Sequence, residues 1–303
     1  MRTVHKNRES LERFCYKQNL RRSKKHRHFF EVVSDLGVLG ELALKMTFLQ
    51  EKGLRNAENL ALNEVDLILP GLPEKFDGCR ILFLTDLHVE KLEHIVDNII
   101  SITSEIDYDY CILGGDYTVW KSFDIKTSEG KMCRIVDSLK KRGRIFGVLG
   151  NHDKYETAEM LDSFGVEMLL NENVCLEKDS EKIYMVGIDD TFLYDADDLA
   201  LGQEGIEADA FKILISHSPQ LYKEAAKARC QLYLAGHTHG GQICLPGQIA
   251  VVSAAPIPRK MIKGLWEYDN MVGYTSCGCG VSGMKARFFC PPEIVLLKLR
   301  RGI

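Results

Sequence analysis

The sequence lacks a long uncharged apolar run. Its most apolar early stretch, from Phe29 to Leu49, is interrupted by four charged residues. A membrane-spanning helix needs about 20 consecutive, predominantly apolar residues, so no span is predicted. No secretory signal is predicted at the N-terminus either, because basic and polar residues follow the pair Arg21-Arg22 where an apolar core should begin.

The ten cysteines lack a paired spacing pattern, and some, such as Cys111, lie within apolar runs. A free cysteine behaves as a small buried apolar residue. Thiols without a disulfide framework are typical of a reducing compartment, so the sequence favours a cytoplasmic location. The close pair Cys277-Gly278-Cys279 is short for a metal clip, and we interpret it as loop packing.

The chain also lacks a strong excess of charge of one sign, since its formal net charge is -4 over 303 residues. The charge is unevenly distributed, because residues 1–28 carry ten Lys or Arg against two Glu. Such a basic tail indicates an anionic partner, either a membrane surface or a nucleic acid, and a solvated terminus is the plain alternative. Phosphate contacts dominate nucleic-acid affinity, so the acidic body argues against a long duplex footprint.

Apolar residues recur at helical spacing between Phe29 and Met46. The pattern predicts an amphipathic helix of about five turns with a wide apolar face. This helix could pack on the main domain, or it could lie in a bilayer interface beside the basic tail. We expect an N-terminal extension over residues 1–60, made of the tail and the helix, and a main domain over residues 61–303.

From Val65 onward, apolar strands alternate with amphipathic helices. The predicted strands are 65–69, 80–85, 110–113, 145–149, 184–188, 212–216, 232–235, 249–252, 272–276 and 293–299. The helices between them become fewer in the second half. The pattern predicts an α/β (α+β) fold, a four-layer sandwich of two mixed β-sheets flanked by helices, with the N-terminal helical extension attached.

Five of the predicted strands run directly into Asp, His or Asn. The residues at these ends are Asp86, His88, Asp116, Asn151, His152, Asp153, His217, His237 and His239. The carboxyl ends of strands are where ligands bind in open α/β sheets. A single Asp or His there is commonly turn chemistry, but five strand ends of one design are hard to explain as turns. Nearby glycines, such as Gly150 and Gly236, allow close approach of the backbone.

A cluster of carboxylates, imidazoles and an amide oxygen without thiolate suits Mn, Fe, Zn or Co better than a structural zinc. The donors are numerous enough for two ions that share one bridging carboxylate. Two ions about 3.5–4 Å apart can clamp a phosphoryl group and lower the pKa of a bound water toward about 7. The sequence therefore predicts a two-metal hydrolase.

Together these segments resemble the signature of the calcineurin-like metallophosphoesterases, over roughly Val65 to Leu299. The motifs are Asp86-x-His88, Gly115-Asp116, Gly150-Asn151-His152-Asp153, His217 and Gly236-His237-Thr238-His239. The resemblance implies a first metal held by Asp86, His88 and His239. It implies a second metal held by Asn151, His217 and His237, with Asp116 bridging the two. Manganese is the favoured metal, and the implied nucleophile is a metal-activated hydroxide.

The resemblance also implies roles outside the metal shell. His152 would stabilise charge on the phosphoryl group or protonate the leaving group, and Asp153 would orient His152. Gln242 and Arg287 could contact a substrate phosphate, but a structural role is the favoured interpretation of each. A non-catalytic scaffold is disfavoured, because every ligand position of the family pattern is filled.

Smaller motifs resemble a bacterial branch of membrane-associated phosphohydrolases that includes a UDP-2,3-diacylglucosamine pyrophosphatase. They are Leu72-Pro73, Gly240-Gly241-Gln242 and Pro291-Pro292-Glu293-Ile294. This resemblance implies cleavage of a phosphodiester or pyrophosphate bond in a lipid-linked substrate. The basic tail and the amphipathic helix favour peripheral association with the inner face of the cell membrane, through an anionic surface bound by residues 1–50. A nuclease or cyclic-nucleotide phosphodiesterase using the same site is the alternative.

Overall fold

The structure is a computed structural model that describes residues 8–12, 40, 42, 44–119, 125–253 and 255–302. Its helices include α1 (Gln50–Glu58), α2 (Ile95–Thr103), α3 (Ile125–Leu139), α4 (Tyr155–Phe164), α5 (Leu199–Gly202) and α6 (Tyr222–Lys227). Its strands include β1 (Ala61–Pro70), β2 (Arg80–Leu84), β3 (Tyr110–Leu113), β4 (Arg144–Gly147), β5 (Glu167–Met168), β6 (Glu172–Lys178) and β7 (Glu181–Ile188). They continue with β8 (Phe211–Ser216), β9 (Leu232–Ala235), β10 (Cys244–Leu245), β11 (Ile249–Ala250), β12 (Gly264–Tyr268), β13 (Met271–Thr275) and β14 (Glu293–Gly302).

The first large sheet has the strand order β1-β14-β2-β3-β4-β5. Strands β2 to β5 are parallel, and β14 runs antiparallel to β2. The parallel strands are linked through α2, α3 and α4, as expected for crossover connections. Local sequence sets the helix ends: α4, for example, stops where Gly165 adopts a left-handed φ of 97°, which glycine reaches at little cost.

The second large sheet has the order β12-β13-β9-β8-β7-β6. Its four central strands are parallel, and the antiparallel strands β12 and β6 form its edges. Strand β8 is buried along its whole length, as parallel strands covered on both faces usually are.

The two sheets pack face to face, and helices cover their outer faces. In β2, Ile81 and Phe83 join the apolar core between the sheets, whereas Leu82 and Leu84 join the core under the helices. This alternation follows from the period of two in a β-strand. A separate core lies between the second sheet and α6. The predicted four-layer α/β architecture with two mixed sheets is confirmed.

Before β1, the structure gives only part of the predicted extension. Most of the amphipathic helix predicted between Phe29 and Met46 lies outside the described residues. Helix α1 was not predicted; it packs through Gly53, where an added Cβ would lie 2.6 Å from the Ala286 side chain. No helix within the described ranges is long and apolar enough to cross a membrane. The division into residues 1–60 and 61–303 stays a prediction.

Candidate metal centre

The predicted ligands follow the carboxyl ends of five parallel strands, three in the first sheet and two in the second. Asp86 and His88 follow β2, Asp116 follows β3, Asn151 follows β4, His217 follows β8, and His237 and His239 follow β9. Because the sheets face each other, these ends meet at one edge of the sandwich. All seven side chains are buried there.

The backbone at this edge is strained. Five of the seven predicted ligands have a positive φ, namely Asp86 (54°), His88 (40°), Asp116 (55°), His237 (68°) and His239 (49°). Each such non-glycine residue costs about 1–3 kcal/mol and persists only where its surroundings fix it. Concentrated strain of this kind is typical of functional sites, because it aims side chains at a common point.

Two glycines give the carboxylates room. A Cβ at Gly150 would lie 2.2 Å from Asp116 Oδ1, and a Cβ at Gly236 would lie 2.3 Å from Asp86 Oδ2. Real side chains do not approach so closely, so the backbone beside both carboxylates must be glycine. The close approach that the sequence suggested for these two glycines is therefore present.

Asp86, His88 and His239 form a first cluster, in which one ligand atom from each residue lies within 4.8 Å of the others. His239 Nε2 lies 3.3 Å from Asp86 Oδ1. The His88 and His239 rings are stacked, with centroids 5.3 Å apart. The main-chain N–H of His237 donates to the Asp86 carboxylate at 3.0 Å, and the Thr85 hydroxyl donates to it at the same distance, which together fix its orientation.

Asp116, His217 and His237 form a second cluster that meets the same distance limit. His217 Nε2 lies 3.2 Å from Asp116 Oδ2. The His217 and His237 rings meet edge to face, with centroids 5.3 Å apart. The two clusters together contain six of the seven predicted ligands, and the seventh, Asn151, has a buried amide oxygen.

Asp116 lies between the clusters. Its Oδ2 atom is 3.2 Å from His217 Nε2 in the second cluster and 3.6 Å from His88 Nε2 in the first. A carboxylate in this position can contact two ions at once. The geometry therefore supports the bridging role that the family resemblance implied for Asp116.

The buried polar atoms of the site fit divalent metal ions. His88 Nε2, His217 Nε2, His239 Nε2 and Asn151 Oδ1 are buried without a hydrogen-bond partner of good geometry. Buried polar groups almost always have such partners, so these four atoms are suited to an ion. The opposite nitrogens of two rings face main-chain carbonyls, His88 Nδ1 at 3.0 Å from Thr118 O and His217 Nδ1 at 2.8 Å from Gly114 O. A proton on Nδ1 leaves the Nε2 lone pair free for a metal.

Burial sets the protonation of the first cluster. It raises the pKa of Asp86 to about 6 and lowers the pKa of His88 to about 3. It also lowers the pKa of His239. Near pH 7 both histidines are therefore neutral, which is the form that binds metal.

The second cluster behaves differently. Burial acts to lower the pKa of His217, but the Asp116 and Asp86 carboxylates outweigh it and raise this pKa to about 10. Burial likewise acts to raise the pKa of Asp116, but His217 and His152 hold it well below its ordinary value. Without an ion, this cluster therefore keeps a proton on His217 facing Asp116.

His152 lies at the edge of both clusters. Its ring meets the His88 ring edge to face at 5.0 Å, and its Nε2 atom lies 4.0 Å from Asp116 Oδ2. About a quarter of its side chain is exposed, unlike the buried ligands. An imidazole that reaches both the centre and the solvent can bind an entering phosphoryl group or exchange a proton with it.

The Asp153 carboxylate accepts four main-chain N–H bonds, from Gly150, Asp116, Tyr117 and Thr118. These bonds join the loop after β3 to the loop after β4. They support a role in holding the two loops together, which differs from the expected one; orientation of the His152 ring by Asp153 stays a prediction.

Gln242 and Arg287 are committed to loop packing. The Gln242 amide bonds to the main chain of Ser282 and Met284. The fully buried Arg287 guanidinium donates to main-chain carbonyls, among them Cys277 O at 2.7 Å, and its Nη2 lies 3.3 Å from His239 Nδ1. These contacts favour the structural alternative, and a contact of either residue with a substrate phosphate stays a prediction.

Sequence reasoning missed a further acidic strand end. Strand β7 runs into Asp189 and Asp190, which are both buried. The Asp190 carboxylate accepts N–H bonds from Phe192 and Tyr194, and the Phe192 ring packs on His237 with centroids 4.3 Å apart. The signal in the sequence was the same apolar strand followed by Asp that identified the other ends.

Residues 79–241 match the family model described as calcineurin-like phosphoesterase. The match spans more than half of the chain, so the chain belongs to that family and is a metal-dependent phosphoesterase. Members of this family use divalent metals, and the two clusters are candidate sites for them.

Similar curated proteins cover most of the chain. The uncharacterized metallophosphoesterase YkoQ of Bacillus subtilis is 27% identical over 255 residues, which is 80% of this chain and 92% of that protein. Phosphodiesterase YaeI of Escherichia coli is 27% identical, over 73% of this chain and 82% of that protein. A zebrafish (Danio rerio) transmembrane protein with metallophosphoesterase domain is 26% identical, over 79% of this chain and 57% of that protein.

Proposed function

We propose that this phosphoesterase cleaves a phosphodiester or pyrophosphate bond in a lipid-linked substrate, such as UDP-2,3-diacylglucosamine, at an anionic membrane surface. The observation that carries the proposal is an exposed apolar surface beside the candidate metal centre. The name of YaeI, a phosphodiesterase, supports the diester class. We expect manganese as the metal, and peripheral association with the inner face of the cell membrane.

The chemistry follows from the positions of the side chains. The two clusters would hold the two ions, which would supply Lewis acidity toward the phosphoryl group and a nucleophile at neutral pH. Asp116 would fix the spacing between the two subsites. The partly exposed His152 would bind the phosphoryl oxygens and give a proton to the leaving oxygen, a step that contributes about 10²–10⁴-fold to rate in enzymes.

The apolar surface begins at Leu245, six residues after the last candidate ligand, His239. The hairpin of β10 and β11 follows the short helical turn His239–Gly241, and its apolar side chains point outward. The exposed apolar residues of the hairpin, of the two residues after it and of the neighbouring chain at Phe289 are Leu245 (55%), Ile249 (53%), Val251 (56%), Val252 (41%) and Phe289 (54%). Soluble domains rarely leave such patches uncovered, and a membrane is one surface that such patches bind.

Basic side chains flank the hairpin. Arg259 donates to the carbonyl of Ala250, and Lys263 Nζ donates to Gln248 Oε1 at 2.9 Å. An apolar hairpin flanked by cations suits an anionic bilayer, because the cations attract the headgroups while the apolar side chains enter the acyl boundary.

A second apolar group lies before and at the start of α1. Its exposed residues are Leu42 (54%), Met46 (73%), Phe48 (92%) and Leu49 (40%). Helix α1 is hydrogen-bonded to Arg287, two residues before Phe289. The Arg287 N–H donates to Gly53 O at 3.0 Å, and the Asn56 amide donates to Arg287 O at 2.9 Å. The two apolar groups therefore both border residues 287–289, next to the candidate metal centre.

The proposal is tested with the double variant Leu245→Ser/Ile249→Ser. We expect an unchanged rate on the soluble diester bis-p-nitrophenyl phosphate, because the centre is intact. We expect about tenfold lower kcat/KM on UDP-2,3-diacylglucosamine and weaker binding to vesicles that contain phosphatidylglycerol, which corresponds to about 1.4 kcal/mol. The matched control is Ile68→Ser, an equally apolar, 68% exposed side chain near the carboxyl end of β1, far from the ligands.

Equal losses in the control and the double variant would contradict the proposed surface. Wild-type hydrolysis of cyclic nucleotides or nucleic acid, without cleavage of the lipid substrate, would replace the proposal with the alternative function.

A further inference from the structure

Arg8 lies far from the centre in sequence but is buried beside it. In the turn of helix over residues 8–12, the Arg8 side chain is 1% exposed and that of Glu12 is 15% exposed. For Arg8, the structure thus differs from the solvated basic tail considered above. A buried guanidinium needs a specific set of partners, because it keeps its charge in any protein environment.

The Arg8 guanidinium binds the loop that carries Asn151 and His152. Its Nη2 atom donates to Asp153 O at 2.9 Å and lies 3.4 Å from Gly150 O. These two carbonyls immediately flank the Asn151-His152 pair.

Glu12 completes the contact with the same loop. Its Oε1 atom accepts the N–H of Tyr155, the first residue of α4, at 2.8 Å. The same oxygen accepts a bond from Arg8 Nε at 2.8 Å. One helical turn therefore binds this loop at two places, through Arg8 at Gly150 and Asp153 and through Glu12 at Tyr155.

The opposite side of the guanidinium binds the second sheet. Arg8 Nη1 donates to Asp189 Oδ1, and the guanidinium lies over the Tyr194 ring at 3.8 Å from its centroid. Asp189 and Tyr194 flank the loop whose Phe192 packs on His237. Arg8 thus connects the loop of Asn151 and His152, in the first sheet, to the loop that supports His237, in the second.

We propose that Arg8 is a positioning residue of the active centre, which with Glu12 sets the distance between the His152 loop and the second cluster. A planar guanidinium can bind the carboxylate and the two carbonyls at once because its donors point in fixed, divergent directions. An ammonium group can neutralise Asp189 but cannot reproduce this geometry. An error of about 1 Å in the position of a catalytic group can cost about 10²-fold in rate, so the connection matters for turnover.

The experiment compares four variants of the full chain, loaded with manganese. Arg8→Lys keeps the positive charge and removes the planar guanidinium with its divergent donors. Arg8→Met leaves the Asp189 and Glu12 carboxylates without their guanidinium, and Arg8→Met/Asp189→Asn also removes the charge of Asp189, the more deeply buried of the two. The control, Arg134→Met, removes an arginine from an exposed ion pair with Asp97.

We expect Arg8→Lys to lower kcat on bis-p-nitrophenyl phosphate about 10–100-fold, with KM changed by less than about threefold. Arg8→Met should lose about 10 °C in Tm. The double variant should regain most of that Tm but none of the kcat, because the loop carbonyls still lack their donor. Amide hydrogen exchange in residues 151–155 should be faster in all three than in the wild type and the control.

Wild-type kcat and wild-type exchange in Arg8→Lys would overturn the proposal, as would recovery of kcat together with Tm in the double variant. The Arg8→Lys result decides the matter even if Arg8→Met does not fold. The inference relies on the proposed function only for its activity measurement. A wild type inactive on the diester would refute the diester activity, whereas unchanged exchange would refute the positioning role.

Discussion

The two clusters of the candidate metal centre have similar ligands but opposite protonation. In the first, burial keeps His88 neutral, with a pKa of about 3, and also lowers the pKa of His239. In the second, nearby carboxylates raise the pKa of His217 to about 10. The first cluster therefore holds neutral imidazoles near pH 7, whereas the second must lose a proton before it can bind an ion.

The difference arises from the position of Asp116. Its Oδ2 atom lies 0.4 Å closer to His217 than to His88, at 3.2 against 3.6 Å, and His217 also faces Asp86 Oδ1 at 3.9 Å. Two carboxylates thus act on one imidazole. This difference predicts that the two clusters bind metal unequally, because the neighbouring charges decide whether a proton competes with the ion.

The largest expected effect is that of Asp116→Asn. If Asp116 serves both clusters, loss of its charge weakens both subsites, and hydrolysis of a soluble diester falls by more than about 10³-fold, or about 4 kcal/mol. Metal content after gel filtration should fall toward zero ions per chain. Asp97→Asn, at an exposed ion pair, is the control. Retention of one tightly held ion would assign Asp116 to the second cluster alone.

His152→Ala should come next in size. His152 contacts both clusters but lies outside their ligand sets, so we expect kcat to fall about 10²–10⁴-fold while the number of bound ions stays the same. The exposed His94 provides a matched control, His94→Ala. Loss of an ion in His152→Ala would show that His152 is a metal ligand. It would contradict the assignment of His152 as a proton donor outside the ligand set.

The smallest expected effect is the pH dependence of metal affinity, which should differ between the two clusters. The raised pKa of His217 stabilises the metal-free fold fully below about pH 6.5, and this contribution is lost as pH rises toward 10. Binding at the second subsite displaces that proton. Its affinity should therefore rise about tenfold per pH unit, or about 100-fold between pH 6.5 and 8.5.

The first subsite should change little in that range, because the pKa values of Asp86 and His88 lie below it. Calorimetric titration in buffers of different ionisation enthalpy would count the protons released at each subsite. Equal proton release at both would contradict the comparison.

The sequence was sufficient to predict the central strands and the candidate ligands. Strands such as β8 are buried throughout and read as continuous apolar runs, and each is followed directly by its polar residue. Three of the four edge strands of the large sheets, β5, β6 and β12, were missed, whereas β1 was predicted. In β6, only Leu176 is buried, so the alternation that marks a strand is weak.

Contacts between distant parts of the chain could not be predicted. Arg8 and Asp189 are 181 residues apart, and composition placed Arg8 in a basic tail that would bind an anionic partner or be solvated. The sequence also left open whether Arg287 contacts substrate or is structural, and only the fold shows that it is buried among main-chain carbonyls. The hydrophobic pattern of the sequence shows which residues follow a strand. It does not show which long side chain, distant in sequence, packs against the loops that carry those residues.

Anomalous X-ray diffraction from manganese-loaded crystals tests most directly whether Asp116 joins two metal subsites. We expect two anomalous peaks about 3.5–4 Å apart. One peak should be bound by Asp86, His88 and His239, the other by Asn151, His217 and His237, with Asp116 oxygen atoms contacting both. A single peak, or two peaks with Asp116 contacting neither, would contradict this expectation.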